Sequence, residues 1–201
     1  DAHQYHLNPF VSEAEVLAFE QKYGVQLPEC YRAFMLTIGD AKAKKSDFIA
    51  GPYFGLYAFG TCVDELLYEK IETYLKAPCN LSPDMTQEEW ETLSDPLLPS
   101  EEEEEEDEDK YFAERAKVFG GLLPLGSQGC TYEHALVLNG KYAGRVVNID
   151  LELAQPKFAF ETNFLDWYER YLDEVISGQL LDDRPTWFGY HRGEPAELLL
   201  N

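Results

Sequence analysis

Apolar and polar positions alternate most clearly between Leu122 and Asp150. Tyr132–Leu138 and Gly144–Ile149 read as strands. Asn139-Gly140-Lys141-Tyr142-Ala143 between them is short enough for a hairpin loop. Gly126-Ser127-Gln128-Gly129 predicts a turn-rich approach, and Lys157–Phe160 a third strand. Side chains alternate between faces along a strand. Tyr132, His134, Leu136 and Leu138 therefore share one face, and Glu133, Ala135 and Val137 the other. In the partner strand, Arg145, Val147 and Ile149 oppose Val146, Asn148 and Asp150. One side is the more apolar, which predicts an antiparallel sheet with helices on one face.

The helical period dominates elsewhere. Ser12 and Glu15 have capping-box spacing, Val11 and Val16 that of a hydrophobic staple, and Gly24 suits a left-handed stop, which predicts a helix over 13–23. Pro28 opens a second helix within 27–39, with Tyr31, Phe34, Met35 and Ile38 on one face. Asp40–Gly51 has no period and reads as a loop, and Tyr53–Phe59 as an aromatic strand. Thr61 is expected to cap a third helix carrying Val63, Leu66, Leu67, Ile71 and Tyr74. Thr86 and Glu89 repeat the capping-box spacing ahead of Trp90. Thr162 or Asn163 caps a last helix, with Phe164, Tyr168, Tyr171, Leu172, Val175 and Ile176 inward and Gly178 as its stop. Runs of helices around a β hairpin give the α+β class: a mostly antiparallel central sheet with helices packed against it.

At 201 residues and 45% hydrophobic composition the chain can bury a substantial core. The expectation is one domain over 1–201, with an acidic insertion at about 77–110 and an extension at about 179–201. The insertion contains nine consecutive acids: Glu101, Glu102, Glu103, Glu104, Glu105, Glu106, Asp107, Glu108 and Asp109. Such a run reads as a self-repelling loop. A second reading makes it the N-terminal end of a helix capped by Ser100, with Lys110, Arg115 and Lys117 at the opposite end, an order that suits the helix dipole. A helix is predicted for Tyr111–Lys117.

Charge narrows the partners. Removing nine negative charges from −22 still leaves −13, so the body is acidic too. Binding nucleic acid needs Lys and Arg to displace counterions, and an anionic membrane repels acids. A basic protein partner fits, as does simple solubility. No run approaches the ~18–20 apolar residues of a membrane span. Asp1–Phe10 lacks the basic-then-apolar order of a secretory leader. Cys30, Cys62, Cys79 and Cys130 show no CxxC pairing and read as reduced thiols in a cytosolic protein.

Candidate chemistry is sparse. Cys130 and His134 stand four residues apart, but on an extended strand that is about 13 Å, too far for a thiol and its base without a turn between. Asp1, His3 and His6 offer metal ligands on a terminal segment of the kind that frays. Glu133, Asp150 and Glu152 compose an acid/base set only because acids are so abundant. Phosphate loops, nucleophile elbows and zinc spacings are missing from the sequence. The expectation is a protein that is not an enzyme, with no cofactor and no metal.

The ordered series Phe19, Leu27, Pro28, Tyr31, Phe34 and Gly39 resembles the opening of the SUKH superfamily. That superfamily includes SMI/KNR-type regulators of fungal cell-wall assembly and bacterial toxin-immunity proteins. LLPLGSQGC at 122–130 resembles the family's approach to its central hairpin, and GRVVNID at 144–150 its strand ending in an acid. The likeness covers roughly 11–60 and 118–177. Many members carry Asn-Gly-Gly after the second helix, whereas Gly39 is followed by Asp40. The resemblance implies a non-catalytic, cytoplasmic immunity protein that binds and neutralises a toxin, often a nuclease. Its alternative is a regulatory or scaffold module. A nuclease presents a basic surface, which acids steer toward and aromatic anchors then fix. The candidate partner-binding residues are the nine acids of 101–109 together with Asp182 and Asp183, and Tyr53, Tyr57, Tyr142 and Trp187 as anchors. Each of these aromatics, taken singly, reads more readily as a core residue.

Overall fold

In a computed structural model of the chain, residues 5–39, 48–98, 108–179 and Phe188 are described. Six strands form one antiparallel sheet in sequence order: β1 (Phe48–Ile49), β2 (Leu56–Tyr57), β3 (Leu122–Gly129), β4 (Tyr132–Val137), β5 (Val146–Asp150) and β6 (Lys157–Phe158). The α+β class follows. The hairpin is the predicted one: Tyr132 pairs with Asp150, His134 with Asn148 and Leu136 with Val146. Alternation then fixes the two faces.

Helices cover both faces, where the sequence predicted one. His134, Leu136, Asn148 and Val146 face α1 (Glu13–Tyr23), α2 (Glu29–Thr37) and α6 (Phe164–Ser177), where Phe34, Phe164, Trp167 and Tyr168 pack ring against ring. The opposite face carries Ala135, Val137, Val147 and Ile149. It is covered by Trp90 of α4 (Gln87–Ser94) and by Val118 and Phe119 of α5 (Glu108–Phe119), together with Leu66 and Leu81. The connection read as an insertion thus supplies the second layer. A short α3 (Ile71–Lys76) and a 3-10 turn at Asp95–Leu97 complete the elements among the described residues.

The capping predictions hold at α1, α4 and α6. Ser12 Oγ accepts from the Glu15 N–H while the Glu15 carboxylate accepts from the Ser12 N–H, and Thr86 and Glu89 repeat the pair. Asn163 caps α6 by accepting from the Asp166 N–H. Gly24 ends α1 at φ 61°, a left-handed position that glycine takes without steric cost. The helix predicted over Tyr111–Lys117 forms within α5, whereas the expected Ser100 cap and residues 101–107 lie outside the described residues.

Other predictions differ. The Thr61 helix does not start there. Thr61 Oγ1 donates to the Ala58 carbonyl, Cys62 and Lys70 take positive φ, and helix begins only at Ile71. The apolar spacing of 63–74 is instead used in tertiary contacts. Leu66 and Leu67 are buried, the Tyr74 hydroxyl donates to the Val63 carbonyl, and Arg115 Nε donates to that of Leu66. The aromatic strand shrinks to Leu56–Tyr57, because Tyr53 at φ 55° and Gly55 at φ 100° belong to a turn closed by the Gly55 N–H on the Pro52 carbonyl. Part of the predicted 40–51 loop is the edge strand β1. Gly126-Ser127-Gln128-Gly129 is strand rather than turn. Its turn-like composition serves two register shifts, between Pro124 and Gly126 and between Ser127 and Gly129. At Gly126 a Cβ would collide with the Gly55 carbonyl oxygen, so the β2–β3 approach requires glycine.

Candidate partner-binding surface

Helix α6 runs fourteen residues from its Asn163 cap to Gly178, with Phe164, Trp167, Tyr168 and Tyr171 buried. At 100° per residue these four occupy one half of the helix. Asp166, Glu169, Leu172, Asp173 and Ile176 fall on the other half, and all are exposed. An acidic row, Asp166–Glu169–Asp173, therefore runs beside an apolar seam, Leu172–Ile176. The sequence reading assigned Leu172 and Ile176 to the inward face. They stand 43% and 84% exposed, displaced from it by their helical angle. Exposed apolar side chains bordered by charge are the usual composition of a protein contact.

The row borders a cleft of about 360 Å³ lined by Phe160, Glu161, Thr162, Asp166, Glu169, Arg170 and Asp173. Phe160 is half exposed at its rim. Arg170 sits at its floor, 3.5 Å from the buried Glu161 carboxylate and 2.6 Å from that of Glu174. That guanidinium is held by two acids, so the outward field of the cleft stays negative. No motif marked this surface. The helical angle of Leu172 and Ile176 was the available signal.

The aromatic candidates divide. Tyr57 is buried and its hydroxyl donates to Glu133 at 2.8 Å, which makes it a core residue. Tyr53 is half-buried and stacks on His134 at a 7° interplanar angle. Tyr142 is half-buried against Phe158, with Lys141 Nζ 4.9 Å from its ring. Of the acids, Glu108 and Asp109 open α5, both exposed, and Asp109 pairs with Lys70 at 2.7 Å. That hydrogen bond holds the Asp109 carboxyl below its usual range. Glu101, Glu102, Glu103, Glu104, Glu105, Glu106, Asp107, Asp182, Asp183 and Trp187 lie outside the described residues.

The residues weighed for chemistry hold other positions. His134 is fully buried among Tyr53, Trp167 and Phe188, while Cys130 is exposed at the β3–β4 turn with φ 51°. Burial pushes the His134 imidazole down to about 3 and holds it neutral. Asp150 ends β5 by accepting from Thr131 Oγ1 and from the N–H groups of Glu152 and Ala154, so it shapes the turn that follows. Glu133 is buried beneath Tyr57, and that burial pushes its carboxyl up to about 7. His6 is described, but Asp1 and His3 lie outside the described residues. Among the described residues no three His, Cys, Asp or Glu side chains are grouped to hold a metal, and none of the four cysteines is in a disulfide. Among them, too, no helix is long and apolar enough to cross a membrane.

Neither the curated proteins nor the solved structures gave a match to the chain. A family model does match, over residues 11–170, from the residue before the α1 cap to Arg170 within α6. It spans the sheet, the helices of its first face and the connection that covers the second. The Leu-Pro-aromatic opening, the central hairpin and the acid closing β5 all fall within it, and the chain belongs to the SMI1/KNR4 family (SUKH-1).

Proposed function

We propose that the chain is a non-catalytic, cytoplasmic immunity protein that binds a basic toxin domain, of nuclease type, and blocks it. Membership in the family supports a protein-binding module of the immunity or regulatory kind. The observation that carries the finer reading is the outer face of α6, where Asp166, Glu169 and Asp173 stand beside exposed Leu172 and Ile176. Acids steer a basic partner into encounter, and the apolar seam supplies contact that excludes water. The acids of 101–109, with Asp182 and Asp183, extend the attracting field in this reading. Tyr53, Tyr142 and Trp187 remain its further anchors, and Tyr57 contributes from the core by fixing β2. The apolar seam also supports a second reading, a regulatory scaffold held by salt-insensitive contact.

Capture from the source cell's lysate at low and high salt separates the two, using the wild-type chain and the triple variant Asp166→Lys/Glu169→Lys/Asp173→Lys as baits. Immunity predicts a basic domain that washes off as salt rises and is lost from the variant. That domain, expressed alone, should arrest growth, and co-expression with the chain should restore it. A partner retained in high salt by both baits, and harmless when expressed, would replace this reading with the scaffold.

A further inference from the structure

A cavity of about 220 Å³ opens at the β6 edge of the sheet, between the 82–85 segment that leads into α4 and the residues from 155 to 160. Its walls are largely apolar, with Met85, Pro156, Phe158 and Phe160 among them. Among the described residues its charged lining is two cations, Arg145 and Lys157, and no acid. That is a selective arrangement in a chain with 16 basic and 38 acidic residues. Hydrogen bonds fix the frame. Gln155 Nε2 donates to the Met85 carbonyl at 2.8 Å and ties the two walls together, while Lys157 Nζ donates to Gln155 Oε1 at 2.9 Å. The Arg145 guanidinium lies 5.2 Å from the centre of the Phe158 ring, and its Nη2 donates to the Ala159 carbonyl at 2.7 Å.

Arg145 is the group that this frame leaves incomplete. Its Nε is buried without a hydrogen-bond partner, and none of the ion pairs among the described residues includes it. Asp84, exposed beside the cavity, and Glu161 act on it through space without pairing. Burial lowers the pKa of both Arg145 and Lys157, so each is kept charged at a cost. An arginine serving structure alone would close over its carbonyl and fill the space beside it. Here two cations line an open cavity with apolar walls, which is the composition of a ligand pocket, a few polar groups orienting an apolar body. Size and field select the ligand. The volume falls below the ~300–1,000 Å³ of pockets for drug-sized molecules, so it suits a single ring or a short branched chain. The net charge of −22 repels a polyanion strongly and a monoanion least. A carboxylate matches the fork of a guanidinium and accepts from an ammonium as well. We infer that the Arg145–Lys157 cavity is a binding site for a small organic monocarboxylate, its carboxylate held by the two cations and its apolar body against Phe158 and Phe160. This goes beyond the toxin-binding reading. No acid of the α6 row lines the cavity, so each proposal survives the loss of the other.

The probe is benzoate, titrated into the full-length wild-type chain and followed by NMR at the Arg145 Nε–H and at the amides of Ala159 and Phe160. Saturable shifts centred on this cavity are expected, with a Kd of about 1 mM or below. Benzyl alcohol keeps the ring and loses the charge, and it should bind about tenfold more weakly or worse. Benzoate should weaken by a similar factor on Arg145→Gln and on Lys157→Gln. If neither variant folds, the comparison of acid and alcohol on the wild-type chain still decides. Equal binding of the alcohol, shifts that do not saturate by about 20 mM, or shifts confined to other surfaces would overturn the inference. Inorganic phosphate binding as tightly as benzoate would make this an unselective oxyanion pocket and overturn the assigned ligand class. The last arm separates the sources of a carboxylate, using the peptide acetyl-Ala-Ala-Phe with a free C-terminus and its C-terminal amide. An acid form that binds about tenfold tighter than benzoate, with the amide inert, would assign the cavity to the chain end of a partner protein and overturn the small-acid assignment. A peptide no tighter than benzoate supports it.

Discussion

Glu133 and His134 are neighbours in β4, yet they enter opposite faces of the sheet and meet opposite chemical treatment. Both are buried and burial disfavours the charged form of both, lifting Glu133 to about 7 and lowering His134 to about 3. Glu133 lies in an aliphatic layer and is given a partner, the Tyr57 hydroxyl. His134 lies in an aromatic layer, its ring stacked on Tyr53 and edge-on to Trp167. The aliphatic layer is closed by the connection around α4 and α5. The aromatic layer is closed by α6 and Phe188, and there buried Asn148 and half-buried Gln128 bond the Phe188 backbone as well as the Lys157 and Glu133 carbonyls. A polar group satisfied within its own layer serves stability. Asn148 serves stability in the same way, since Lys157 and Gln128 bond it within the sheet.

The bluntest way to break the comparison is to remove the aromatic wall. Trp167 is fully buried and touches His134, Phe164 and Phe188. Trp167→Ala is expected to cost about 4 kcal/mol in denaturant unfolding, through lost transfer free energy and the cavity left behind. It should also release Phe188, seen as faster hydrogen exchange of that amide. A loss below about 1 kcal/mol would mean that the aromatic layer repacks as easily as the aliphatic one.

The two titrations offer a sharper cut. A folded Glu133 near 7 against an ordinary value of 4.5 means that the folded chain keeps a proton the unfolded chain gives up. Its stability contribution is full below pH 4.5 and is lost as pH rises through 7. His134 runs the other way: from an ordinary 6.5 to about 3, its contribution is present above 6.5 and is lost as pH falls toward 3. Between pH 4.5 and 6.5 the two slopes nearly cancel, so these groups together leave wild-type stability flat there. Glu133→Gln should remove one slope. Stability at pH 8 should rise by about 2 kcal/mol relative to wild type, and acid loss should begin near pH 6.5 rather than near 4.5. Thermal unfolding across pH 4–8 reads both effects. A parallel shift at every pH would refute the buried-acid account.

How much of this was legible follows from the range of the signals. Ser12, Thr86 and Asn163 announce their helices through bonds within three residues, and the β4–β5 alternation is equally local. The second layer was not legible, because what places Trp90 over Val147 and Ile149 is tertiary contact that no local period encodes. The 63–74 segment misled for the same reason. Its apolar spacing is helical, but Lys70 and Cys62 sit at positive φ and the backbone serves Tyr74 and Arg115 instead. Leu172 and Ile176 were visible as apolar residues at helical spacing, and only their angle from Phe164 separates seam from core. The amide bonds that hold the Phe188 backbone were hidden, since Gln128 reads as turn composition until the register shift is seen.

The same local device on the two faces gives the finest comparison. Ser12 caps a helix that buries Val16, Phe19 and Tyr23, whereas Thr86 caps one that buries only Trp90 and Ser94. Replacing either cap by alanine removes the same two-way bonding. If the whole domain unfolds as one unit, each substitution lowers Tm by about 3 °C. The unequal burial argues otherwise. Ser12→Ala is expected to shift the global transition, while Thr86→Ala lowers amide protection in α4 with a smaller global change, because a helix anchored by one tryptophan opens without the rest. Hydrogen exchange resolved by segment distinguishes the outcomes. Equal global shifts with unchanged α4 protection would mean that the connection is as much a part of the folding unit as the aromatic layer, and that the two faces differ in chemistry but not in cooperativity.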